Sequence, residues 1–585
     1  MSSFFDSASL VQIPSGYSDG TLYSVKPIDG TGDLTFSRGS DIEATRVASN
    51  GYIQKAKVNL LLQSNTYDNA SWLTSGTITG GESGYDGTND AWLFNSDGSS
   101  IYQSSPITSG VVTFSVYAKA GSLDGIRLRI DEATATDSNC YIDLTDGSEI
   151  ISHNGIALKV EDAGSGWWRI SLTHNASNLA LLRFYATDDT GGAVAGTIYL
   201  QDAQLNYGLV AQEYQETTTT SVVSGITNDM PRLDYSGGAS CPSLLLEPSR
   251  QNLAVHSEYF NSYSATRLGV SANSATSPEG VTNATKLTPT TDNASHYFVQ
   301  TNNVTSSQKT TISFYAKADG YNFIRAVFSS VNGAYPDYYQ SFDLSDGSLS
   351  DDSSGIDSAS VISMGNGWYR CIATATAAAS VVSSNYFFVC ETSGITAFAG
   401  NGTSGVLIYG LQVETNVSYP TSYIPCYGTS LSRLADDMDT TFASPFATDG
   451  GATFFLELDA APQSGSNSTA QNLSIVFASG DSVSYNHSGG IYHRWRVNAG
   501  GTAYYQTVKG QQDNSVKMAI KITASSFTAY SNGSIDGTPT SISGNWASAT
   551  DLSTLLNEAI GIIPVKKLIF FPTALSDSDL ATLTA

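Results

Sequence analysis

The chain writes one module twice, and that duplication limits the folds open to it more than any other feature. The strand SVYAKAG at 115–121 returns as SFYAKADG at 313–320, and NLLLQSNTYDNASW (59–72) returns as NLAVHSEYFNSYS (252–264). YIDLTDGS (141–148) is matched by SFDLSDGS (341–348), GWWRIS (166–171) by GWYRCI (367–372), and YLQDAQLN (199–206) by YGLQVETN (409–416). Order is kept and the spacing between equivalents widens only by loop-sized steps, which is what copying a folded unit leaves behind. The chain therefore divides into a module at 56–215, a connector at 216–250 and a second module at 251–432, with 1–55 before them and 433–585 after.

Each copy alternates at period two, the signature of a half-buried strand. Phe114, Val116, Ala118 and Ala120 oppose Ser115, Tyr117 and Lys119; Ile312, Phe314, Ala316 and Ala318 oppose Ser313, Tyr315 and Lys317. The apolar sets make a sandwich core. In GWWRIS, Trp168, Ile170 and Leu172 share the core face and leave Trp167 and Arg169 on the other; Trp368 and Arg370 repeat this behind Tyr369 and Cys371. Only 14% of the 585 residues are charged, against about 25% in an average soluble protein. Gly, Ser, Thr, Asn and Tyr abound instead, which suits strands and tight turns. The fold class is all-β.

The duplicated outward set, Tyr117, Lys119, Trp167 and Arg169 with Tyr315, Lys317, Trp368 and Arg370, is the candidate glycan site. Pyranose C–H faces stack on aromatic rings while sugar hydroxyls need placed donors and acceptors. The same residues also fit a purely structural role, with Trp and Arg stacked on one another or Trp covering a sheet edge.

A module that opens with NLL, carries FSVYAKAG and GWWR and closes with YLQDAQL resembles the jelly-roll, carbohydrate-binding-module-like domains of phage tail and capsid-fibre proteins. That resemblance implies tandem β-sandwiches, glycan binding and a place on the outside of a virion. In some sugar-binding relatives an aspartate of the closing strand helps hold structural calcium. Asp202 matches that position, but its counterpart is Gly410, so a calcium expectation rests on the first module alone.

The connectors LTFSRGSDIEATRVASNGYIQ (34–54), MPRLDYSGGASCPSLLLEPSRQNL (230–253) and SLSRLADDMD (430–439) resemble joining segments of phage structural proteins. Arg38, Arg46, Arg232, Arg250 and Arg433 fall in them, in a chain with only 27 basic residues. Pinning the linkers to module carboxylates and simple solubility are both open readings. Residues 1–55 match neither module; they read as an arm that orders against another virion protein, or as a cap on the first module. From about 445 long alternating strands resemble a laminin-G or concanavalin-A-like sandwich. Asn532-Gly533 marks a type I′ hairpin, and Ser576 with Asp579 caps a closing helix. His487, His493, Trp495, Tyr504 and Tyr505 are candidates for a binding rim or for core packing.

A net charge of −26 argues against nucleic acid and against docking on an anionic membrane. No apolar run of membrane-spanning length and no signal-peptide pattern occurs, so synthesis in the host cytoplasm is expected. Five cysteines make no disulfide framework; Cys371 and Cys390 could face one another across a hairpin, or stay buried free thiols. Gly480-Asp481-Ser482 resembles the nucleophile block of GDS-type esterases, yet no histidine follows His493 to serve as its base. The expected function is non-enzymatic: a virion fibre or decoration protein whose modules bind host-surface glycan, as a homo-oligomer, a trimer being the state the resemblance implies, with a ligand-free spacer and a depolymerase or esterase as alternatives.

Overall fold

The computed structural model describes the chain except residues 1, 330–336, 460–462, 465–472, 489–491, 509–515, 543–545, 547–550 and 557–560. It is built almost wholly of antiparallel strands arranged as three β-sandwiches. In the first module a six-stranded sheet runs Ala157–Gly164, Trp167–Ala176, Gly110–Ala120, Ala195–Tyr207, Ala91–Asp97, Thr77–Glu82. It faces a five-stranded sheet ordered Ser100–Ser104, Leu179–Thr187, Gly125–Glu132, Ser138–Asp143, Glu149–Ile151. The second module repeats this plan, with Lys309–Asp319 between Gly405–Thr415 and Trp368–Thr376, and Phe323–Ser329 between Val381–Cys390 and Tyr338–Asp343. The alternation behaves as the sequence expects: Phe114, Val116, Ala118, Ile170 and Leu172 line one core, and Ile312, Phe314, Ala316 and Cys371 the other.

The asparagine that opens each copy has a specific structural reason. Asn59 is fully buried; its amide donates to the carbonyls of Ala203 and Gln215, and its oxygen accepts from the backbone N–H of Leu61 and Leu205. Asn252 does the same with Leu411, Ile424, Ala254 and Val413. A single side chain thus ties the first strand, the closing strand and the tail behind it, where an apolar residue would orphan several buried backbone groups.

The hairpin pairing of Cys371 with Cys390 and the readings of residues 1–55 are corrected, while the buried-free-thiol reading of the two cysteines holds. Cys371 and Cys390 lie on strands of different sheets, so no hairpin sets them opposite one another; both are buried free thiols. Residues 1–55 are neither a free arm nor a cap on the first module. Leu10–Gln12 adds to the Gly561–Phe571 strand of the C-terminal sandwich, with Leu10 opposite Phe570. Ser243–Leu246 of the connector pairs with that strand as well, Leu246 opposite Ile563. Leu10, Leu22, Leu34 and Phe36 with Leu233, Leu244 and Leu246 sit in the same core as Phe454, Trp495 and Phe570. The third sandwich is therefore assembled from three distant pieces of chain. Its Asn532-Gly533 turn has both φ angles positive (47° and 76°), and Ser576 accepts from Asp579 N–H at 3.2 Å to open the Asp577–Thr584 helix.

The connectors meet in a buried ionic cluster. Arg38, Arg232 and Arg433 converge on Glu247 and Asp436, and all five side chains are 0–1% exposed. Arg38 reaches Asp436 at 3.2 Å, Arg232 reaches Glu247 at 2.8 Å and also pairs with Asp436, and Arg433 reaches Glu247 at 3.4 Å. Arg46 and Arg250 stay outside, on Gln54 and Tyr419. These three arginines pin the linkers to each other, not to module carboxylates, because Glu247 and Asp436 belong to linkers themselves. A second buried ion cluster docks the first connector on module 2: Lys55 meets Glu258 at 2.9 Å and Glu279 at 2.8 Å, while the Tyr423 and Tyr409 phenols donate to Glu258.

Candidate functional site

The eight duplicated candidates do gather on one face per module, the outer face of the six-stranded sheet. In module 1 the Arg169 guanidinium lies 5.4 Å from the Tyr117 ring, Lys119 lies 6.0 Å from Tyr199, and Trp167 is 1% exposed between Tyr85 and Tyr199. Tyr85, carried in by the 83–90 loop, stacks on Tyr117 with centroids 3.7 Å apart. In module 2 the Arg370 guanidinium lies 5.5 Å from Tyr315 and donates to the Thr421 carbonyl at 2.7 Å, as Arg169 does to Gln212. Trp368 donates to the Thr276 carbonyl at 3.1 Å and packs with Tyr315, Tyr409, Tyr423 and Ile53. Tyr315 and Trp368 are each 3% exposed; Lys317 remains partly exposed next to Gly367. The two arginines thus hold each module's tail against its sheet, and the N-terminal connector covers the second copy's face.

Asp202 explains the mismatch with Gly410. Both are bulge residues of the closing strand, with φ of 55° and 61°, where the register shifts opposite 115–117 and 313–315. A side chain at Gly410 would come within 2.8 Å of Tyr315, so only the first copy has room for one. Asp202 accepts from the Tyr85 phenol at 2.9 Å, and Gln201 donates to Asp90 at 2.8 Å and to Asp86 at 3.3 Å. Burial pushes the Asp202 carboxyl up to about 7, aided by the charges of Asp90 and Asp86 and opposed by the Tyr85 hydrogen bond. No group of three or more acidic, His or Cys side chains among the described residues is placed for a metal. In the structure Asp202 latches the 83–90 loop through the Tyr85 phenol. Because its folded pKa is raised, the native state binds the extra proton between about pH 4 and 7, and stability falls as pH rises through that window. Asp202→Asn should remove this dependence, leaving stability near that of the parent at pH 4 and gaining about 1–2 kcal/mol at pH 8 in urea unfolding.

The opposite sheets carry a set that lay outside the sequence reading. On the outer face of the five-stranded sheet, Arg127 lies 5.0 Å from both Tyr141 and Tyr185, and Arg183 lies 4.5 Å from Tyr102. Arg325 holds the matching place in module 2: it pairs across with Phe388 where Arg127 pairs with Tyr185, and lies 4.1 Å from Tyr339. Tyr297, Tyr386 and Phe388 cluster beside it with centroids 4.9–6.0 Å apart. All of these aromatic rings are partly exposed. The signal for them is the alternation of GIRLRIDE (125–132), where Ile126, Leu128 and Ile130 enter the core and Arg127 and Arg129 do not.

In the C-terminal sandwich Trp495 is core, and His493 is buried with its Nδ1 2.7 Å from the Tyr485 phenol. Tyr504 packs against the core, Tyr505 is 45% exposed under Arg494, and the His487 side chain lies outside the described residues. Gly480, at φ 84°, and Asp481, whose carboxylate accepts from Gly500 N–H at 2.9 Å, form a hairpin turn, and Ser482 starts the next strand. The GDS triplet is turn chemistry.

The architecture defines an all-β chain of tandem β-sandwiches. No protein-family model matches the chain, and no curated protein matches it. Among solved structures it is similar to the CBM40 of the Ruminococcus gnavus IT-sialidase bound to α2,3-sialyllactose, at 10% identity over 26% of this chain and 96% of that one, TM-score 0.20. It is also similar to the tandem CBM22-1–CBM22-2 of Paenibacillus barcinonensis Xyn10C (9% identity, 65% and 99%, TM-score 0.20) and to mouse laminin α1 LG4-5 (13%, 49% and 90%, TM-score 0.15). Likenesses this remote carry no argument about ligands.

Proposed function

We propose that the chain is a non-enzymatic structural protein of a phage virion, on a tail or capsid fibre, whose two modules hold host-surface glycan on their Arg127 and Arg325 sheets. The observation that carries the glycan reading is the repeated arginine, set in the same place among partly exposed aromatic rings in both copies. Arg127 already donates to Asn139 and the buried Arg325 to Ser341 and Asp351; their remaining N–H groups are the donors for sugar hydroxyls, while the neighbouring rings stack on C–H faces. Two weak sites per chain, multiplied in a homo-oligomer, gain avidity through effective concentration. The virion placement is supported by the resemblance of the connectors. With 10–36 built into the C-terminal sandwich, attachment to the particle falls to that folded domain.

Adsorption of the labelled chain to intact host cells and to their extracted polysaccharide tests this. Saturable binding that weakens at least tenfold in Arg127→Ala with Arg325→Ala, at an unchanged unfolding midpoint, is the expected result. No binding by the parent chain would leave a spacer or decoration protein, and binding that the variant keeps would place the site elsewhere.

A further inference from the structure

The two modules and the N-terminal connector meet around an open cavity of about 340 Å³. Ile42 supplies one wall, the 106–110 turn and Tyr207 of module 1 a second, and 427–431 behind module 2 a third. The meeting is backbone against backbone. Val111 N–H donates to the Tyr427 carbonyl at 2.5 Å. A side chain at Gly110 would lie 3.0 Å from that carbonyl, and one at Gly428 would lie 3.0 Å from Gly110 Cα. Both glycines hold positive φ, 119° and 145°, which other residues avoid. Above them the Tyr207 and Tyr427 rings stack, centroids 5.4 Å apart and planes 15° from parallel. The cavity is thus a built feature of the docked pair and belongs to neither module alone.

Its lining selects a chemistry. No charged residue lines it, so an ionised ligand would lose hydration without gaining a counter-charge. Exposed Thr108, Ser109 and Thr429 bring hydroxyls, which a plain hydrocarbon would leave unpaired. The Tyr207 phenol stays neutral, its pKa raised by burial and by Glu43. An uncharged ring with an apolar face and a rim of hydroxyls satisfies all three conditions. The volume stands at the lower end of the range of about 300–1,000 Å³ for ligand pockets, room for one or two rings.

We infer that this junction is a third binding site, separate from the sheet faces, that takes a neutral sugar unit. The choice of a sugar rests on the glycan reading above; the cavity and its exclusion of charge do not. Methyl α-glucoside, methyl β-galactoside and maltose, with glucuronate and glucosamine as charged counterparts, are titrated into the full chain and followed by saturation-transfer NMR and tyrosine fluorescence. The expected result is saturable binding of at least one neutral probe, weakened at least tenfold by Thr429→Trp or by Ser109→Trp, which fill the mouth from opposite modules. Binding should persist in Arg127→Ala with Arg325→Ala, so loss of cell adsorption there with retained probe binding separates the two proposals. Failure of every neutral probe, equal affinity for the charged ones, or full binding by both tryptophan variants with unchanged unfolding midpoints would overturn it.

Discussion

Asp436→Ala is expected to destabilise the chain by about 3–5 kcal/mol, because it leaves Arg38 and Arg232 buried without their shared partner. The cluster already holds three guanidiniums against two carboxylates. Removing one acid leaves Glu247 alone to balance them. Burial lowers Arg38 to about 10 even with Asp436 present, so that carboxylate offsets only part of the cost of burying the charge. Trypsin gives a direct readout: Arg38, Arg232 and Arg433 have 0% exposed side chains, and cleavage at all three should become rapid when the linkers part. Acid should act through Glu247 in the same way. Burial alone would raise its pKa, but Arg433 and Arg232 hold it down at about 2. The folded value lies below the unfolded one, so this contribution is present above about pH 4.3 and lost as pH falls towards 2. A tryptic pattern unchanged in Asp436→Ala would show that the cluster does not bind the linkers together.

The duplicated strands were legible because period-two alternation and a second copy reinforce one another; Phe114 and Phe314 enter their cores where the pattern puts them. Off-core positions were legible too, since Trp167 and Trp368 both leave the core face. What covers an off-core face is a tertiary fact that alternation cannot carry. Ile53 and Lys55 reach the Trp368 face from the far side of module 1, more than two hundred residues away in sequence from Glu258. The same holds for Leu10, whose partner strand stands near the opposite end of the chain. The arginine cluster was half legible: scarce arginines concentrated in connectors signalled a role, but their partners Glu247 and Asp436 look like any of 53 acidic residues until the linkers meet.

Lys55→Ala should be nearly as costly, at about 3–5 kcal/mol, for the converse reason: it strands two carboxylates around a vacated ammonium site. Lys55 is 5% exposed in its side chain and Glu258 2%. Burial would drive the lysine pKa down, but Glu258 and Glu279 raise it well above its ordinary value. Its contribution is therefore complete below about pH 10.4 and is lost only at higher pH, so the effect of the substitution should be constant from pH 6 to 9. The neutral triple exchange Lys55→Met, Glu258→Gln, Glu279→Gln should recover most of the loss, because a buried ion cluster replaced by neutral groups of similar shape is often no less stable. The Tyr409 and Tyr423 phenols can still donate to a glutamine oxygen at 258. Chymotryptic cleavage at Tyr52, 37% exposed on the turn before the docked strand, reports whether the connector has lifted from module 2. Fast cleavage in Lys55→Ala with slow cleavage in the triple variant is the expected pair of results. Equal rates in the parent and Lys55→Ala would mean that Ile53 and its aromatic neighbours hold the connector without the charge.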